Sequence, residues 1–106
     1  MGLFGNLFNK KTVQKQPPII TEGSFYFEIE DVFTIVGRGT VATGRVKSGE
    51  VHVGELVIIN GNIYSKVLGI ELFRQVANVA KAGDACGLFL EGITQQEINK
   101  GGYITK

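Results

Sequence analysis

The sequence predicts an all-β protein, a small closed antiparallel barrel, on three observations. From Ser24 onward, short runs rich in Val and Ile are broken at short intervals by turn residues. Glycine is abundant, 15 of 106 residues, and falls mostly between those runs, where tight turns need it. The first run alternates, with Phe25, Phe27 and Ile29 on one side and Tyr26, Glu28 and Glu30 on the other. Several short antiparallel strands in one small domain favour closure, which leaves no exposed sheet edge. A chain of 106 residues is one domain, long enough to bury a core without staples.

The elements follow in order. Residues 1–23 differ in composition and read as a flexible tail, with the barrel occupying 24–106. In the tail Leu3, Phe4, Leu7 and Phe8 recur at helical spacing and give a short amphipathic segment, followed by Lys10 and Lys11. Gly2 and Gly5 oppose that helix, and Pro17-Pro18 forces an extended stretch before the barrel. The apolar run is too short for a signal peptide or a membrane span. Asn6 stands where an N-myristoylation motif wants Ser or Thr.

Strands are predicted near 25–36, 40–47, 55–60, 63–73, 85–91 and 102–105. Lys47-Ser48-Gly49-Glu50 and Asn60-Gly61-Asn62 supply turns, the latter a tight hairpin because Asn and Gly tolerate positive φ. Thr94-Gln95-Gln96-Glu97 is a capping box that predicts one helical turn, and Gly101 can close it. Strict alternation in the first strand would bury Asp31 between Ile29 and Phe33, and an unpaired buried carboxylate is costly. A bulge at Glu30-Asp31 removes the conflict. It would turn Val32, Thr34 and Val36 inward and Phe33 and Ile35 outward. The partner strand then sends Ala42, Gly44 and Val46 inward, with Val41, Thr43 and Arg45 opposite. The expected result is an exposed apolar patch of Phe33, Ile35, Val41 and Thr43, edged by Arg38, Glu30, Asp31 and Glu71. Apolar residues rimmed by charge mark an interaction surface.

Charge and chemistry narrow the function. Net charge is +1, which gives no global attraction to nucleic acid. The tail carries Lys10, Lys11 and Lys15 against Glu22, and the barrel eight basic against nine acidic residues, so RNA binding would be local. The single Cys86 excludes an internal disulfide, fits a reducing cytoplasm, and sits in an apolar run that suggests a buried inert thiol. The single His52 reads as a solvent-facing strand residue and cannot build a zinc site alone. No catalytic residues, metal site or cofactor can be assembled, so the expectation is a protein that is not an enzyme.

Ordered motifs carry a resemblance. Ile29-Glu30-Asp31-Val32-Phe33-Thr34-Ile35-Val36-Gly37-Arg38-Gly39-Thr40-Val41-Ala42-Thr43-Gly44-Arg45-Val46 is followed by Val53-Gly54-Glu55-Leu56 and Gly69-Ile70-Glu71-Leu72-Phe73-Arg74. Ala82-Gly83-Asp84, Gly87-Leu88-Phe89-Leu90-Glu91-Gly92-Ile93 and Glu97-Ile98-Asn99-Lys100-Gly101 complete the series. Together these resemble domain 2 of translational GTPases, closest to elongation factor Tu. The resemblance implies a barrel of the reductase/isomerase/elongation factor type. It also implies that Ile35, Gly37, Arg38, Val41 and Glu71 surround a terminal adenosine, with Glu30, Asp31, Phe33 and Thr43 beside an aminoacyl group. Ala85 departs from the Asn that elongation factor Tu usually has there.

Neither G-x-x-x-x-G-K-[ST] nor N-K-x-D occurs in the 106 residues, so GTP binding or hydrolysis is not expected. The expected function is a stand-alone, non-enzymatic binding module. Its implied partners are a tRNA 3′ end, ribosomal RNA, a translation GTPase or a ribosomal protein. The competing expectation is a structural adaptor that docks weakly to a membrane or protein partner through Leu3, Phe4, Leu7 and Phe8, with no RNA role. Salt separates them, because RNA contacts weaken as it rises and apolar docking does not.

Overall fold

The computed structural model describes residues 24–98 and 101–106. The tail segment with Leu3, Phe4, Leu7 and Phe8 lies outside the described residues, as do Asn99 and Lys100. Among the described residues nine strands run in order: β1 Tyr26–Ile35, β2 Gly39–Ser48, β3 Glu50–His52, β4 Leu56–Ile59, β5 Ile63–Leu72, β6 Gln75–Ala77, β7 Val79–Lys81, β8 Ala85–Leu90 and β9 Tyr103–Thr105, with a 3-10 turn at Gln95–Glu97 between β8 and β9. Six of the strands lie where the sequence predicts them. The three-residue strands β3, β6 and β7 were not foreseen.

All the pairings are antiparallel. The main sheet has the order β4-β9-β1-β2-β8-β5-β6, and an additional β4–β5 pairing joins its ends into a ring of six strands with β6 appended. Strands β3 and β7 form a separate two-stranded ribbon. The ring encloses a core in which Phe27, Ile29, Ile59, Ile70, Leu88 and Ile104 are fully buried. Two buried hydroxyls are satisfied by carbonyls beyond β8: Thr40 donates to Ile93, and Ser65 donates to Glu91 at 2.8 Å.

The register of β1 on β2 slips between Ile29, opposite Gly44, and Asp31, opposite Thr43, which is the expected bulge. Before it Phe25, Phe27 and Ile29 point inward; after it Val32 is buried and Phe33 and Ile35 are exposed. Thr34 keeps the expected face, opposite the buried Thr40, but is not itself buried, and Val36 lies in the turn rather than facing inward. Both are exposed, Val36 at 98%. The hairpin runs past the end of the barrel, so its last residues have no core beneath them. Thr34 instead meets Gln95 in a side-chain hydrogen bond of 3.1 Å.

A second register shift, between Val67 and Gly69, lets β5 pair with both β4 and β8. The tight turn at Asn60-Gly61 has φ of 52° and 81°, as its sequence predicts. The Glu97 half of the capping box forms: its carboxylate accepts from the Thr94 N–H at 2.8 Å. Asp31 is kept out of the core, and its carboxylate accepts the Val32 N–H at 3.0 Å.

Candidate functional site

The site grows from the outer faces of β1, β2, β8 and β5, which lie side by side in register. One row runs Phe33, Val41, Phe89, Gly69, and the next runs Asp31, Thr43, Gly87, Glu71. Two of these eight positions are glycines on one flank, so the surface sinks between the side chains on either side. A Cβ on Gly87 would come within 3.1 Å of a Val41 methyl, so any larger residue there would fill the depression. The result is a cleft of about 440 Å³ with Phe33 and Ile35 on one wall and Glu71, Leu72, Phe73 and Arg74 on the other.

Six of the nine sequence-predicted residues line it: Glu30, Phe33, Ile35, Val41, Thr43 and Glu71. Asp31, Gly37 and Arg38 do not. Gly37 holds the turn between β1 and β2 at φ 82°, closed by the Arg38 N–H donating to Ile35 at 2.9 Å. Arg38 folds back over β8, with its guanidinium carbon 4.1 Å from the centre of the Phe89 ring. It thereby reaches the edge of the cleft across a floor residue. Val41 needs a correction. The sequence places it in an exposed patch, but it is only 4% exposed, because Phe33 and Phe89 pair on either side and cover it. It forms floor, while Phe33, 46% exposed, stands as wall.

Phe89, Phe73 and Arg74 are among the lining residues that the sequence did not single out. Phe89 sits in a continuous apolar run whose phase cannot be told from sequence, and the structure turns it outward. Phe73 and Arg74 form the two-residue loop between β5 and β6, because Leu72 pairs with Gln75. Phe73 is 82% exposed, with the Arg74 guanidinium carbon 5.2 Å from its ring centre. Arg74 and Asn60 are the non-glycine residues with positive φ among the described residues. Backbone held in this way at a cleft rim is a recurrent mark of binding sites. The signal in the sequence was Phe-Arg between apolar runs, hidden by reading the strand straight through it.

The chemistry available is recognition. Aromatic and aliphatic side chains offer a flat apolar slot, Glu30 and Glu71 offer acceptors, and Arg38 and Arg74 offer cations at the margin. Ala85 also lines the cleft and contributes no polar group. Cys86, next to it in β8, belongs to the core, and burial, with the nearby Asp84 charge, pushes its thiol up to about 11. It is a neutral thiol at pH 7 and no nucleophile. Far from the cleft, His52 is exposed between Glu50 and Glu55 at 3.4 and 3.6 Å. Among the described residues no group of His, Cys, Asp and Glu could hold a metal ion, and no helix is long and apolar enough to cross a membrane.

Comparison with known proteins completes the description. The family model for elongation factor Tu domain 2 matches residues 39–105. The crystal structure of translation elongation factor SelB from Methanococcus maripaludis, apo form, superposes with a TM-score of 0.74 at 34% identity, covering 81% of this chain and 19% of that one. A bacterial selenocysteine-specific elongation factor, EF-Sec, superposes with a TM-score of 0.75 at 24% identity, covering 80% of this chain and 15% of that one, and shows the shared fold alone. The chain therefore spans less than a fifth of either matched protein.

Proposed function

The chain belongs to the elongation factor Tu domain 2 family, and on that footing we propose that it is a non-enzymatic module whose outer cleft receives the 3′ end of an RNA. One observation carries the reading: residues that the family resemblance assigns to a terminal adenosine and its aminoacyl group line a single cleft with aromatic walls. A purine fits between Phe33 and Phe73 over the Gly87 floor, stacked on π faces and aliphatic carbon. Glu71 accepts from a sugar hydroxyl or base amine. Arg38 and Arg74 meet the flanking phosphates. Glu30 accepts from the amino group of an esterified amino acid.

Ala85 makes the aminoacyl end of this cleft less polar than its counterpart in elongation factor Tu. The bare nucleotide end is therefore the firmer part of the ligand. Two arginines at the margin provide few phosphate contacts, so affinity is weak.

The test is the affinity of short oligonucleotides ending in CCA for the protein and for Arg38→Ala and Glu71→Ala. Each change removes a charged contact worth about 1.5–3 kcal/mol where desolvated, so Kd should rise roughly ten- to a hundredfold. The fold should survive, since both side chains lie outside the core. Equal affinity in all three proteins would reject the reading. The adaptor reading is distinguished by the same titration, since it requires no RNA binding at all.

A further inference from the structure

Phe89 is an aromatic side chain buried on the outside of the barrel. It lies on the outer face of β8, between Val41 and Gly69 in the paired row, and takes no part in the core. It is nonetheless only 4% exposed. Its ring has room because β5 carries a glycine beside it: a Cβ on Gly69 would stand 3.7 Å from that ring. Over the ring lies the Arg38 guanidinium, its carbon 4.1 Å from the ring centre.

The turn that carries Arg38 offers it little else. Gly37 and Gly39 on either side have no side chains to pack on it, and Val36 is 98% exposed. Among the described residues no carboxylate pairs with Arg38. The neighbouring arginines are held differently. Arg45 donates to the Gly83 carbonyl at 2.9 Å. Arg74 has a ring partner at 5.2 Å, but that ring, Phe73, is itself 82% exposed on a loop.

The way Arg38 is held matters for an anion. A carboxylate partner would fix the side chain and neutralise it. An aromatic face fixes the plane and leaves both the charge and the N–H edge free. Ordering a long side chain at the moment of binding costs affinity, and a guanidinium already fixed avoids most of that cost. Its planar fork then suits the oxygens of a phosphate.

We propose that Phe89 is a positioning residue of the cleft, whose ring holds the Arg38 guanidinium ready for the phosphate beside the terminal nucleotide. This inference rests on the reading of the cleft as the site of an RNA 3′ end.

The test follows the Arg38 side chain by NMR in the full chain, with and without the CCA-ended oligonucleotide. In the free protein the Arg38 δ-methylene protons should be shifted upfield by the Phe89 ring. When RNA binds, that ring shift should persist while the Arg38 Nε–H signal moves. In a second measurement, Phe89→Leu should raise Kd roughly two- to fivefold. The same change in an Arg38→Ala background should cause no further loss. If Phe89→Leu does not fold, the signals of the parent protein decide alone.

Arg38 protons without a ring shift in the free protein would overturn the proposal, as would a ring shift lost when RNA binds. An equal rise in Kd in both backgrounds would overturn it too, making Phe89 a structural floor, and so would no rise in either. In each of these cases RNA binding by the parent protein stands. Failure of the parent to bind the oligonucleotide, with the ring shift present, would instead reject the reading of the cleft, and this inference with it.

Discussion

Gly44 has no room for a side chain. A Cβ there would run into the Glu28 carbonyl and come within 3.1 Å of the Phe27 ring. Gly44→Ala should therefore cost about 1–3 kcal/mol, the usual cost of overpacking. That corresponds to a melting temperature roughly 5 °C lower or more for a domain of this size, readable by thermal unfolding. Glu55 gives the pH prediction. The Lys106 ammonium, at 2.8 Å, and the His52 N–H hold its carboxyl below the usual carboxylate range. A lowered folded pKa contributes stability that is present at neutral pH and lost as pH falls through that folded pKa. Glu55→Gln should thus be slightly less stable than the parent at pH 7, by about 1 kcal/mol at most for an exposed pair. The gap should close in acid, which melting curves at pH 7 and pH 3 would measure. A constant gap would assign the effect to packing. At this scale the sequence was legible where alternation met an energetic objection. Burying Asp31 was prohibitive, so the bulge could be inferred. It was not legible at Val41, Thr34 and Val36, because exposure there depends on how far the hairpin overshoots the barrel and on which strand lies alongside.

The turn between β4 and β5 closes the barrel. Asn60 sits at φ 52°, its N–H donates to the Tyr103 carbonyl at 2.8 Å, and its side-chain oxygen accepts the Tyr103 N–H at 3.0 Å. One residue therefore supplies both the left-handed turn and the tie to β9. Asn60→Ala loses a hydrogen bond and places a less tolerant residue at positive φ, together about 1–3 kcal/mol. Urea unfolding would measure it, and an unchanged midpoint would show that closure does not depend on this tie. The long strands β1, β2 and β5 were legible because ten residues show a period. Strands β3, β6 and β7 were not, since three residues such as Gln75-Val76-Ala77 carry no period, and their pairing partners decide their state. The same reason hid the Phe73-Arg74 loop, and with it one wall of the cleft.

For the whole molecule, charge sets the form of any RNA contact. The barrel carries eight basic and nine acidic residues, so its general field does not favour a polyanion. Binding in the cleft should engage the two phosphates within reach of Arg38 and Arg74. The slope of log K against log salt would then be about −1.4 for a single strand. A markedly steeper slope would mean that Lys10, Lys11 and Lys15 of the tail are responsible. The central claim is that the cleft between Phe33 and Phe73 receives a nucleotide end. Its most direct test is an NMR titration of the isotope-labelled full chain with a short CCA-ended oligonucleotide. Shifts should gather on Phe33, Ile35, Val41, Glu71, Phe73 and Phe89, with much smaller ones for the same oligonucleotide lacking its terminal adenosine. No shifts at millimolar RNA, or shifts scattered over the lysines away from the cleft, would contradict it.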